Sequence, residues 1–199
     1  MRALSLFAML LLLSGCSDLL APSGEPAKLY TLRPPTQVVT SAPQVHWQLL
    51  IATPDASLEI DSSRIAVAPA PMRIDYYANV AWSDRAPAMM RDMLIEAFDK
   101  SGRIGAVGRQ SGGLKSDYLL SSDLRDFQVE TSGEPVSHIG LMVRLVRSRD
   151  RSIVASRLFD TKTPAGSNFD DAIAAFDRGL QTVLPEIVDW TLVEGAKNQ

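Results

Sequence analysis

The stretch from Ile139 to Trp190, IGLMVRLVRSRDRSIVASRLFDTKTPAGSNFDDAIAAFDRGLQTVLPEIVDW, changes its apolar period part-way along. Ile139, Leu141, Val143 and Leu145 alternate with Gly140, Met142, Arg144 and Val146. That is a period of two with one face more apolar, the pattern of a strand. Ser148 to Arg151 turns the chain and Ser152 to Phe159 returns as a second strand, so the pair reads as a hairpin. Thr163-Pro164-Ala165-Gly166 reads as a loop. Beyond it the period lengthens. Phe169, Ile173, Phe176, Leu180, Val183, Ile187 and Trp190 form one stripe of a long helix. Ser167 or Asn168 caps that helix, and Asp170 and Asp171 suit the positive end of its dipole. Pro185 lacks an N–H and is expected to kink or break it.

Working upstream, Tyr118 to Val129 is long and mixed and predicts a further strand, after a turn at Ser111 to Gly113. Ile104 to Val107 predicts a short one. Before it, Ala86, Met90, Met93, Leu94, Ala97 and Phe98 fall at helical spacing. Ser83 or Asp84 can cap this helix, Pro87 is tolerated in its first turn, Lys100 sits in its last, and Gly102 ends it. Arg64 to Ala68 predicts a strand stopped by Pro69 and Pro71, and Met72 to Val80 a partly extended segment. Trp47 to Ala52 is an apolar run suited to a buried strand, Gln37 to Pro43 is loop-like, and Lys28 to Leu32 is a short strand ended by Pro34-Pro35. The order of strands, helix, strands, hairpin and helix predicts one layered α/β domain with a mixed sheet covered by helices.

The N-terminus reads differently. Arg2 gives a short positive start, and Ala3 to Leu13 is apolar apart from Ser5. About 11 residues at about 1.5 Å each fall well short of a bilayer core of about 30 Å, so this is a signal-peptide core and not a permanent span. Leu13-Ser14-Gly15-Cys16 follows and matches the bacterial lipobox, in which the cysteine thiol accepts the lipid. Cys16 is the single cysteine of the chain, so no disulfide competes for it. The chain therefore divides into a signal peptide at 1–15, a lipidated cysteine with a Pro- and Gly-bearing tether at 16–27, and a domain from 28 to 199. Several acyl chains on Cys16 would make membrane attachment durable. Asp18 stands one place too late for the inner-membrane retention signal of enteric bacteria, which favours the periplasmic face of the outer membrane.

Removing 15 of 199 residues leaves enough chain for one domain with a full core. A net charge of −3 and a pI near 5.4 leave no basic footprint for nucleic acid. Arg125, Arg144, Arg147, Arg149, Arg151 and Arg157 interleave with Asp123, Asp126, Asp150 and Asp160, as on a solvated mixed face. His46 and His138 each stand alone, with no HExxH and no nucleophile motif, so neither a metal, a cofactor nor catalysis is expected. The glycines at Gly102, Gly105 and Gly108 follow a helix and do not open one, so they are turn residues and not a phosphate loop. Tyr76, Tyr77 and Trp82 are three aromatics within seven positions. They either pack the first helix on the sheet or meet a partner or lipid headgroups.

Three segments together carry a resemblance: Leu29-Tyr30-Thr31-Leu32; Arg64-Ile65 leading to Ile74-Asp75-Tyr76-Tyr77 and Trp82-Ser83-Asp84; and the long helix beginning near Asn168. With the lipobox, this resembles the ABC-type transport auxiliary lipoprotein family. The resemblance covers nearly the whole mature chain, except that Thr36 to Ser57 matches nothing in it. It implies a layered α/β domain of anticodon-binding-like architecture, without the RNA binding. It also implies a non-enzymatic partner of a lipid transport system, meeting a periplasmic protein of mammalian-cell-entry type at the outer membrane. Self-association is left open. Two other classes stand beside this reading: a structural or assembly lipoprotein of the envelope unrelated to transport, and a lipoprotein hydrolase, against which the lack of a usable histidine argues.

Overall fold

A computed structural model describes residues 26–111 and 113–198. The signal peptide, Cys16 and most of the tether lie outside the described residues. Among the described residues, nine strands and two helices follow one another: β1 (Lys28–Tyr30), β2 (Gln48–Ile51), β3 (Asp55–Ala56), β4 (Arg64–Ala70), β5 (Arg73–Trp82), α1 (Ala86–Ser101), β6 (Ala106–Arg109), β7 (Tyr118–Glu130), β8 (Val136–Arg147), β9 (Ile153–Pro164) and α2 (Phe169–Lys197).

β7 is the spine of a single mixed sheet. One of its edges carries β8 antiparallel over its whole length, and β8 carries β9. The other edge is shared in turn by three short parallel strands: β2 beside Tyr118–Leu120, β3 beside Asp123 and Leu124, and β4 beside Gln128–Glu130. β6 extends β2, and β5 and β1 extend β4. β7 looks mixed in sequence because of a bulge at Arg125, where the register against β8 slips between Leu124 and Asp126. The slip changes which parity faces inward, so Leu124 and Phe127 both reach the core.

Both helices lie on one face. α2 packs on β8 and β9, while α1 packs on β2, on β6 and against α2. The core between sheet and helices centres on Trp82, Phe127 and Phe176, whose rings stand 4.9 to 5.6 Å apart. All six expected residues of the α1 stripe are buried, and Gly102 ends that helix at φ 60. In α2, Phe176, Leu180, Val183 and Ile187 are buried, while Phe169, Ile173 and Trp190 sit partly buried at the margin.

Several boundaries differ from expectation, each for a local reason. β4 runs through Pro69 to Ala70, because Pro69 lies beyond the pairing with β7 and at an irregularity in the pairing with β5, where no ladder N–H is needed. β6 starts at Ala106, two residues late. Arg103 accepts a hydrogen bond from Val45, and a side chain at Gly105 would strike the His46 carbonyl, so the chain crosses there before it can pair. Neither Ser83 nor Asp84 caps α1. Its N-cap is Arg85, and the Ala86 N–H donates to Ser62 O at 3.0 Å instead. β9 continues to Pro164, so Thr163 and Pro164 are strand and not loop. Asn168 does cap α2, accepting from the Asp171 N–H, and α2 stays unbroken through Pro185. Val183, Leu184, Ile187 and Val188 are buried on either side of that proline, and this packing holds the helix together. The unfamiliar segment from Thr36 to Ser57 is largely irregular, yet it sends Val38, Ala42, Val45, Trp47, Leu49 and Ile51 into the core.

Candidate functional site

Because both described helices occupy one face of the sheet, the other face of β7, β8 and β9 has no covering layer among the described residues. The side chains there mix charged groups, among them Asp123, Asp126, Glu130, Arg144, Asp160 and Lys162, with apolar ones. On β8, His138 is 7% exposed, although no helix lies over it. Its Nδ1 lies 2.7 Å from Glu130 Oε1 and its Nε2 lies 2.9 Å from Asp160 Oδ2. The cross-strand register explains this meeting. Gln128 of β7 and Lys162 of β9 stand directly opposite His138, and Glu130 and Asp160 sit one position along the same face. Lys162 Nζ donates to Glu130 Oε2 at 2.8 Å, and Gln128 Nε2 donates to Asp126 Oδ1 at 2.9 Å. Gly140 leaves room here for the Asp126 side chain, whose carboxylate a Cβ at that position would push aside. Burial pushes the Glu130 carboxyl up, but hydrogen bonds from Lys162 and His138 outweigh it and hold the group below its usual range.

Further along the same face, Arg144 donates to Asp123 through both terminal nitrogens, at 3.0 and 2.7 Å. This forked pair lowers the Asp123 carboxyl and raises the Arg144 guanidinium. Of the mixed charged face expected from the interleaved Arg and Asp, Arg144 with Asp123 forms one ordered pair, and Arg147 and Arg149 share Asp150 at the β8–β9 turn. The expectation that His138 stands alone is corrected, since its partners come from two neighbouring strands. Asp126, His138 and Asp160 bring ligand-type atoms within 4.8 Å of one another. Each ring nitrogen already faces a carboxylate, and Lys162 occupies Glu130, so a cation would have to displace an existing contact. No nucleophile lies among these contacts. What the arrangement offers is a rigid, charge-patterned surface for a partner to read.

The three aromatics singled out in the sequence do not come together at a surface. Trp82 is 1% exposed and packed between Phe127 and Phe176, so it belongs to the core and its ring is not available to a partner. Tyr77 is half-buried against Phe169, which also meets Tyr30. Tyr76 is half-buried beneath the Arg64 guanidinium, 3.4 Å from its ring centre, and its hydroxyl donates to Glu59 O at 3.3 Å. A second feature lies at the end of the sheet, where the starts of β2 and β7, the β8–β9 turn and the end of α2 enclose an open groove of about 1240 Å³. Tyr118 ties this end together by donating to Asn198 O at 2.8 Å.

The family model of the ABC-type transport auxiliary lipoprotein component matches residues 30–188. The chain belongs to this family. Membership places it among lipoproteins that serve ABC-type transport. It is 31% identical over 178 residues to an uncharacterised protein of Bradyrhizobium diazoefficiens, a match covering 85% of this chain and 47% of that one. The chain thus spans about half the length of this curated relative. Among solved structures it is similar to a protein of Xanthomonas campestris, with a TM-score of 0.82 and 37% identity over 86% of this chain and 98% of that one. The PelC dodecamer from Paraburkholderia phytofirmans shares the fold at a TM-score of 0.50 and 10% identity, covering 77% of this chain and 95% of that one. The family confirms the layered α/β domain with its long C-terminal helix. No helix among the described residues is long and apolar enough to cross a membrane.

Proposed function

We propose that this chain is the auxiliary lipoprotein of an ABC-type lipid transport system of mammalian-cell-entry type. In this reading its domain binds the periplasmic component of that system, and the lipid on Cys16 ties the complex to the outer membrane. The observation that carries the reading is the family match over residues 30–188 on a domain whose sheet leaves one face without a layer. That face combines fixed charges with exposed Leu158, the mixture that gives a transient protein interface its specificity. Trp82 is no part of the contact, being core; Tyr76 and Tyr77 stay as half-buried contributors at the β5 margin. A tether of about 11 residues reaches roughly 36 Å when extended. A partner spanning the periplasm must therefore supply most of the distance itself, which suits an elongated component docking by its far end.

The test is capture in cells followed by membrane fractionation. Wild type should co-purify a mammalian-cell-entry protein and sediment with outer membrane. Leu158→Asp should lose the captured protein with its melting temperature nearly unchanged, since Leu158 lies on the open face. Cys16→Ser should abolish labelling by a fatty-acid probe. A wild-type chain that never captures such a protein, even after crosslinking, sinks the transport reading in favour of an envelope assembly role.

A further inference from the structure

The groove at the end of the sheet differs in charge from the rest of the molecule. The whole chain carries −3, yet among the described residues the groove is lined by Lys115, Arg147, Arg149 and Arg151 against a single side-chain carboxylate, Asp117. Asp117 is already engaged by the Gln48 N–H at 2.8 Å. Asp150 stands 3.5 Å from Arg147 and 3.8 Å from Arg149, while Lys115 and Arg151 have no ion pair among the described residues. Arg147 is held in place, donating to Ser152 Oγ at 3.2 Å and to Asn198 O at 3.1 Å. Arg151 adopts φ 58 in the β8–β9 turn, a conformation that glycine takes at least cost, so a cation occupies the rim where a glycine would fit more easily.

Beside this basic turn runs an apolar row. Leu50 pairs with Leu119, Leu119 with Val146, and Val146 with Ile153, so four side chains cross four neighbouring strands on the open face. At about 4.8 Å between strands the row is about 14 Å long. Leu50, Leu119 and Val146 line the groove, and the row continues past that lining to its β9 end, Ile153, which is 58% exposed and lies two residues from Arg151. Trp47, 6% exposed, backs the groove, and its buried indole N–H has no hydrogen-bond partner among the described residues.

We propose that this groove binds a phosphate-bearing lipid, with the anionic headgroup at the arginines of the β8–β9 turn and the acyl chain laid along Leu50, Leu119, Val146 and Ile153. Net positive charge alone would suit any anion. The row of apolar side chains starting at the same turn selects an anion with a tail. The groove also lies far from where the chain enters the domain. Phe169 at the start of α2 packs on Tyr30, with ring centres 5.0 Å apart, and Asn198 beyond the end of α2 lines the groove. The 29 residues between span about 43 Å at about 1.5 Å each. The lipid therefore meets the end of the domain remote from β1. The inference deepens the transport reading and rests on it for the source of the lipid, but binding is measured on the purified chain, so either can fail alone.

The test titrates dihexanoyl phosphatidate into the full mature lipoprotein in a neutral maltoside at low ionic strength, read by native mass spectrometry. Dihexanoyl phosphatidylcholine and inorganic phosphate serve as separate arms. Phosphatidate should bind, phosphatidylcholine about tenfold more weakly, inorganic phosphate more weakly still, and added salt should weaken binding. The double variant Arg149→Glu, Arg151→Glu should lose at least about tenfold in affinity for phosphatidate. The uncharged Ile153→Ser should weaken phosphatidate binding without changing the response to inorganic phosphate. Arg151→Gly should bind more weakly without any fall in melting temperature, an outcome that a merely structural role for Arg151 does not give. Equal binding of phosphatidate and phosphatidylcholine, full affinity in the double variant, or inorganic phosphate binding as tightly as phosphatidate would each overturn the proposal. If lipid fails to bind while the periplasmic protein is still captured, the proposal falls and the transport reading stands. If lipid binds while nothing is captured, the reverse holds.

Discussion

Along β8, Ile139, Leu141, Val143 and Leu145 are fully buried beneath α2, whereas His138, Gly140, Met142 and Arg144 between them lie on the face that no helix covers. The two faces use the same backbone and differ in what holds them. Beneath the helices the stabilising quantity is area: each large apolar side chain removed from water contributes about 1.5–3 kcal/mol, with little demand on angle. On the open face the quantity is position. His138 is as enclosed as many core residues, but the groups around it are Glu130, Asp160 and Gln128, and each must sit at hydrogen-bond distance to offset its own desolvation. The covered face can therefore tolerate a change of shape at constant volume, while the open face cannot tolerate a slip in register. A surface of fixed charges on rigid strands is what a partner can recognise repeatedly, which is why the functional reading rests there.

The largest effect expected from this comparison is on the covered face. Trp82→Ala empties the space between Phe127 and Phe176 and should cost about 3–5 kcal/mol in urea unfolding. A loss under about 1 kcal/mol would show that the aromatic cluster is not the centre of the core. On the open face, His138→Ala removes two hydrogen bonds and leaves Glu130 and Asp160 facing a gap. A smaller cost of about 1–3 kcal/mol is expected. If His138→Ala proved as damaging as Trp82→Ala, the contrast between area and position would collapse.

The two faces were also unequally legible from sequence. The stripes of α1 and α2 and the alternation of β8 are local periods, and they place Phe98, Phe176, Leu180 and Ile139 in the core correctly. The partners of His138 are not local. A hairpin turning at Ser148 to Arg151 and running without interruption would set Thr161 opposite His138, with Phe159 on its face. The register instead slips between Leu145 and Val146, where β9 gains a residue, and Lys162 comes opposite with Asp160 on the same face. One inserted residue exchanges the whole face of a strand, and nothing in the composition of Ile153 to Ala155 announces it. The bulge at Arg125 does the same to β7. Trp82 shows the converse: its neighbours in sequence leave a core role and a surface role both open, and only the tertiary packing decides for a core ring. The groove was illegible for a related reason. Leu50, Leu119 and Val146, which line it, and Ile153 at the end of their row come from four separate segments joined by pairing.

The smallest effect expected is also the one that isolates charge from packing on the open face. The forked hydrogen bonds from Arg144 hold the Asp123 carboxyl below its usual value of 3.8. Because its folded value is depressed, the carboxylate contributes stability above the unfolded value, and that contribution is lost as the pH falls through the folded value. Both side chains are about a third exposed, at 30% and 32%, so solvent screens the pair and its worth is at most about 1 kcal/mol. Asp123→Asn keeps the shape and one accepting oxygen while removing the charge. At neutral pH it should therefore unfold at slightly lower urea than wild type. Below pH 3.8 the two should converge, as wild type loses the same charge by protonation. Salt should narrow the gap at neutral pH as well. A gap that stayed constant from pH 7 down to pH 3 would mean that Asp123 acts through shape alone. The open face would then be held by packing like the covered one, and the case for reading it as a charge-patterned docking surface would lose its physical basis.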